Sequence, residues 1–234
     1  MKTRSRGVGI KYYKHGESSI IAKILTEEYG MLSFIAKGVR SKNSKKKISH
    51  FEPLKLVSID FTLKPKNSLH FLSDITFEKT FVSLEKQMTK NFLAVYIAEI
   101  LLCICQEGEK NKTLFDFIWS TSDELFSKNS IEKNLILKFM VKTTHYLGFF
   151  PDTKTLGKNY FDLESGSFVN SKHLKGLYMS KANGVILSNL LKNKELDISK
   201  SEQEIFLDEF FQYFKIHHYN LDNVTSHKVI RSLR

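Results

Sequence analysis

The hydrophobic period of this chain changes once, near residue 81. Before it, β-branched and aromatic residues gather in five short runs: Arg6 to Tyr13, Ser19 to Thr26, Met31 to Ala36, Leu54 to Leu63 and Leu69 to Phe77. Gly16 and Gly30 mark tight turns between the first three, and Pro65-Lys66-Asn67-Ser68 marks one between the last two. Lys37 to Phe51 is a single long connection. In the fourth run Leu54, Leu56 and Leu63 mix with Val57, Ile59 and Phe61, so alternation is imperfect and a bend or bulge is expected. Five strands with one long loop fit a small Greek-key barrel of the OB type, and an SH3-like barrel competes on strand count alone.

After residue 81 apolar residues return at helical spacing. Helices are expected at Lys90 to Gln106, Thr113 to Phe126, Ile131 to Leu147, Ser180 to Lys192 and Ser201 to Tyr219, with a short final one from Ser226. Thr113-x-x-Asp116 and Ser201-x-x-Glu204 read as capping boxes, and Gly148 with Pro151 ends the third helix. Between Phe149 and Tyr178 the pattern is irregular, with Tyr160 to Leu163 and Gly166 to Val169 reading as a small hairpin. The expected class is α+β: an OB-fold barrel over 1–80, then a mainly helical domain over 81–234 containing a short module at 149–178.

Charge follows the same division. Residues 1–80 hold 16 Lys+Arg against 7 Asp+Glu, or +9, whereas residues 81–234 hold 20 against 18, or +2. No acid occurs between Glu28 and Glu52, while Lys37, Arg40, Lys42, Lys45, Lys46 and Lys47 crowd the long connection. A cationic loop on a small β domain suits a polyanion, nucleic acid being the commonest. Such a loop follows a phosphate backbone without demanding one sequence, because affinity arises largely from released counterions. Arg4, Arg6 and Lys11 on the first strand extend the track. Tyr12, Tyr13, Phe34 and Phe71 are candidates for base stacking. Most aromatics of so small a barrel fill its core, but Tyr12 and Tyr13 are adjacent on a strand and must face opposite sides.

Catalytic signatures are absent: the sequence holds no GxxxxGK[ST], GxGxxG, HExxH or GxSxG. Asp60 and Asp74 lie on strands and could pair as in a nuclease, although polar strand faces supply such pairs by chance. His217-His218 lacks carboxylates at metal spacing. Cys103 and Cys105, two apart in an apolar run, read as packing residues, and this cysteine usage with no secretory signal predicts a reducing, cytoplasmic setting. No run approaches the roughly 20 apolar residues of a bilayer span, so no membrane partner is expected.

The layout resembles the RecO family of bacterial recombination mediators and DNA repair proteins. The likeness is carried by Gly7-Val-Gly-Ile10, by the Gly-Glu-Ser-Ser-Ile segment Gly16 to Ile20, and by the run from Tyr29 to Arg40. It continues in Phe51 to Leu54 after the basic loop, Leu147-Gly148-Phe149 with Pro151-Asp152, Tyr213 to His218, and Ser226-x-Lys228-x-x-Arg231-Ser-Leu233. Membership would imply a non-enzymatic, nucleoid-associated protein that binds single- and double-stranded DNA and anneals complementary strands. With RecR it would load RecA onto DNA coated by single-strand-binding protein, whose acidic, Phe-ending tail it would also bind; RecF is a further candidate partner. An RNA-binding or general OB-fold interaction module is the alternative.

One departure concerns metal. Many relatives carry four cysteines as a zinc site in the irregular module, but residues 149–178 hold none and His173 is their only histidine. One ligand cannot build a tetrahedral site, so neither zinc nor any other cofactor is expected, and packing of Phe149, Phe150, Tyr160, Phe161 and Phe168 must hold the module. For an acidic tail, Lys138 and Lys142 stand one helical turn apart beside Phe139, a basic edge along an apolar surface. Lys228, Arg231 and Arg234 form a second basic edge.

Overall fold

The computed structural model describes residues 2–42, 44–65, 68–80 and 87–226. The expected final helix and the edge of Lys228, Arg231 and Arg234 lie outside these residues. Five strands, β1 (Lys2–His15), β2 (Ser19–Thr26), β3 (Gly30–Ala36), β4 (Leu56–Thr62) and β5 (His70–Phe77), close a barrel in the order β1-β2-β3-β5-β4. All neighbours are antiparallel except β3 and β5. That order, with its parallel pair, is the OB arrangement.

Closure depends on β1, which pairs with β4 through Lys2–Val8 and with β2 through Gly7–His15. The change of partner falls on glycines. A Cβ at Gly7 would meet Ile24 Cγ2 at 2.7 Å, and one at Gly9 the Glu52 carbonyl oxygen at 2.6 Å. The strand starts earlier than its apolar run because Lys2, Arg4 and Arg6 leave no apolar signal. The irregularity expected in the fourth run is a register shift at Asp60/Phe61. Inside lie Ile24, Phe34, Val57, Ile59, Phe61 and Leu72, with Phe34 and Phe61 edge to face at 5.1 Å. Burying such side chains contributes roughly 1.5–3 kcal/mol each.

Compactness and hydrophobic period divide the chain at different places. One compact unit comprises the described residues of 1–130 with 223–226, and the other is Ile131–Asp222. Helices α1 (Gln87–Ile104) and α2 (Lys112–Ser127) therefore belong with the barrel. Ser122 Oγ donates to the Leu54 carbonyl, beside the left-handed backbone of Leu54 (φ 57°). Lys90, fully buried on α1, donates to the Lys128 carbonyl at 2.6 Å and so caps the end of α2. At 18 residues and mean hydropathy 1.3, α1 has the length and apolarity of a short bilayer span. Its Ala94, Ile97, Ile100 and Leu101 are nonetheless buried within this unit.

The second unit holds α3 (Leu135–Leu147), the hairpin β6 (Tyr160–Asp162) and β7 (Ser167–Val169), α4 (Lys181–Leu191) and α5 (Lys200–Ile216). Two caps differ from expectation. Asn111, not Thr113, opens α2, its side chain accepting from Leu114 N; the capping box of α5 is Ser199 with Glu202, two residues before the expected pair. In both places several polar residues compete for the cap, and backbone geometry chooses. Gly148 closes α3 in the left-handed region (φ 88°), as its sequence suggests.

Candidate nucleic-acid interface

The basic connection leaves β3 and is anchored at both ends. Val39 (3% exposed) and Phe51 (1%) are buried in the barrel core, and Arg40 N donates to the Ser18 carbonyl at 2.9 Å. Between them Lys42, Lys45 and Lys47 are exposed. Lys46 reaches the Ser73 carbonyl on β5 at 3.3 Å, and Arg40 Nη1 the Gly16 carbonyl at 3.0 Å. Neither contact neutralises charge. Among the described residues none of Lys37, Arg40, Lys42, Lys45, Lys46 and Lys47 forms an ion pair with an acid.

Arg4 and Arg6 are placed differently. Arg6 makes a two-pronged contact with Glu27, at 2.8 and 2.7 Å, and lies 4.8 Å from the Trp119 ring. That contact and Lys112 hold the Glu27 carboxyl far below its ordinary range, at about 2. Arg4 donates to Ser58 Oγ at 3.1 Å and stands 3.8 Å from Asp60. Asp60 faces Asp74 across β4 and β5, so the expected carboxylate pair exists, with a cation against it where further metal-ligating acids would be needed. Among the described residues no three His, Cys, Asp or Glu side chains gather as metal ligands.

The four aromatic candidates separate by face. Phe34 is fully buried and Tyr12 packs against the core, whereas Tyr13 (48%) and Phe71 (36%) are exposed. Register joins these two: Tyr13 pairs with Ile21, Ile21 with Ile35, and Ile35 with Phe71. Lys11 Nζ lies 5.4 Å from the Tyr13 ring and Lys37 Nζ 5.9 Å from the Phe71 ring. The sequence hint was the adjacent Ile20-Ile21 and Phe34-Ile35, which place apolar residues on both faces of β2 and β3. Burial pushes the Cys105 thiol up to about 12, which keeps it protonated and consistent with a packing role.

In the second unit α3 sets Lys138 and Lys142 on successive turns, but Phe139 points inward and is 2% exposed. Lys138 is paired with Glu132 at 2.6 Å, and Lys142 is exposed. The hairpin module fits no zinc site: its one histidine, His173, is exposed. Packing surrounds it instead. Phe161 meets Phe168 at 5.0 Å and Tyr213 at 5.3 Å, and Tyr213 Oη donates to the Phe149 carbonyl at 2.6 Å. His217 stacks on Phe149 at 4.7 Å, and burial lowers its pKa. Phe150 (38% exposed) and Tyr160 lie at the margin, Tyr160 beneath Lys172 at 4.9 Å.

A closed barrel with this strand order, bearing a cationic loop and followed by helices, defines an OB-fold protein with a helical extension. The family models give it a closer place: "Recombination protein O N terminal" matches residues 1–81 and "Recombination protein O C terminal" matches residues 85–208. The chain belongs to the recombination protein O family of DNA repair proteins. It is 27% identical over 241 residues to the DNA repair protein RecO of Flavobacterium psychrophilum, covering 100% of this chain and 98% of the relative. The RecO of Flavobacterium johnsoniae is 29% identical over 208 residues (88% and 84%), and that of Phocaeicola vulgatus 23% over 223 residues (93% and 92%).

Proposed function

We propose that this protein is a non-enzymatic mediator of recombinational repair that binds single- and double-stranded DNA and anneals complementary strands. With RecR it helps load RecA onto DNA coated by single-strand-binding protein. One observation carries the reading: six cations on one anchored loop, with no acid among the described residues paired to any of them. Cations already matched to protein acids gain little from a phosphate, whereas unmatched ones release the counterions of the nucleic acid. Residues 1–80 handle DNA in this scheme, and residues 81–234 meet protein partners, among them the acidic tail of single-strand-binding protein at Lys138 and Lys142; RecF is a further candidate. The protein works in the cytoplasm, at the nucleoid.

The test is annealing of complementary oligonucleotides coated with single-strand-binding protein. A rate well above spontaneous annealing, without nucleotide or metal, is expected. No gain in rate, or strand cleavage in its place, would overturn the reading.

A further inference from the structure

The row Tyr13–Ile21–Ile35–Phe71 crosses four strands, and residues paired across a sheet share a face. The row beside it, Tyr12–Ala22–Phe34–His70, turns inward, with Ala22, Phe34 and His70 buried. The outer row thus has an aromatic ring at each end and two half-buried isoleucines between, with no hydrogen-bonding side chain but the Tyr13 hydroxyl. Its flanks are cationic. Lys11 and Lys37 lie by the two rings, and Arg40 and Lys14 are exposed near the same strand ends. Three strand spacings separate the rings, about 14 Å. That is too far for one base to lie between them, since stacked rings sit roughly 4.5–7 Å apart.

We infer that this face is a stacking platform for two separate bases of one single strand, its phosphates running past Lys11 at one end and Lys37 at the other. The inference rests on the DNA-binding reading above and adds that unpaired bases are part of the ligand. Charge complementarity selects a polyanion for the face, and exposed rings select one with accessible π-faces. Duplex DNA meets only half of that, because its bases already stack on each other. The isoleucine floor offers no donor or acceptor to a base edge. Bases held by their faces therefore keep their Watson–Crick edges free, which suits a protein that anneals strands without regard to sequence.

Fluorescence anisotropy with a single-stranded oligonucleotide and its duplex, at matched salt, tests this. Tyr13→Ala and Phe71→Ala should each weaken single-strand binding about 10-fold, leave duplex binding within about 2-fold, and leave the salt slope unchanged. Tyr13→Phe and Phe71→Tyr should retain wild-type affinity. Phe71→Leu keeps apolar bulk without a ring and should behave like alanine, which separates lost stacking from lost folding. Equal weakening of both ligands, or none while Lys45→Ala/Lys46→Ala/Lys47→Ala still reduces binding, would overturn the platform and leave the DNA-binding reading standing. Wild-type protein that binds neither ligand would overturn both.

Discussion

Two cationic regions of the same barrel, the start of β1 and the loop after β3, have opposite fates. Arg4 and Arg6 each find an acid, Asp60 at 3.8 Å and Glu27 at 2.7 Å, and Arg6 also packs by Trp119. Among the described residues the six loop cations find none: Arg40 and Lys46 reach carbonyl oxygens, and Lys37 lies by the Phe71 ring. A count of lysines and arginines measures charge, whereas function depends on charge left unmatched. The start of β1 contributes cohesion, and in the proposed function the loop contributes reach toward an anion.

The sharpest way to break this contrast is to empty the loop. Lys45→Ala/Lys46→Ala/Lys47→Ala should weaken DNA binding on the order of 100-fold at low salt. The log-log salt slope on single strands should fall from about −4 to about −2, at roughly 0.7 per contact. Arg4→Ala in the same assay should stay within about 2-fold of wild type, because its charge already faces Asp60. A large loss from Arg4→Ala would erase the distinction.

A second test acts on the cohesive region. Glu27→Gln should destabilise the protein by about 1–2 kcal/mol in denaturant titration, with DNA affinity little changed; the full linkage value is not expected because Arg6 is 42% exposed. The Glu27 carboxyl lies at about 2 in the folded chain, below its ordinary 4.5. Its contribution is therefore complete above pH 4.5 and is lost as pH falls through 2. Stability of wild type and variant should converge across that acidic window.

The smallest effect falls on α3, where the same contrast recurs in miniature. Lys142 is exposed and Lys138 is paired with Glu132 at 2.6 Å. Lys142→Ala should weaken binding of an acidic, Phe-ending peptide by about 3-fold, and Lys138→Ala by less, read by calorimetry. The reverse order would show that the Glu132 pair opens for the ligand.

What the sequence revealed was what is local along the chain. The strand runs, the Gly148 stop, the bulge in β4 and the charged loop each depend on neighbouring residues, and each was legible. The start of β1 was not, since a strand edge of Lys2, Arg4 and Arg6 has no apolar alternation to read. Phe34 and Phe71 are indistinguishable in sequence, and only pairing to Ile35 and His70 shows which one faces out. The matching of Arg6 to Glu27 joins residues 21 apart, and proximity of that kind arises only when β1 and β2 close. Grouping α1 and α2 with the barrel likewise follows from packing, to which hydrophobic period is blind.

The two buried pegs of the basic loop, Val39 and Phe51, bear on how such a protein can vary. With both ends fixed in the core, doubling the length between them costs only about 0.6 kcal/mol of closure entropy. Residues can be added to or removed from the segment, and its lysines raised or lowered in number, without altering a strand. If the loop grips an anion as proposed, that grip can be adjusted as an independent dial while the barrel stays the same.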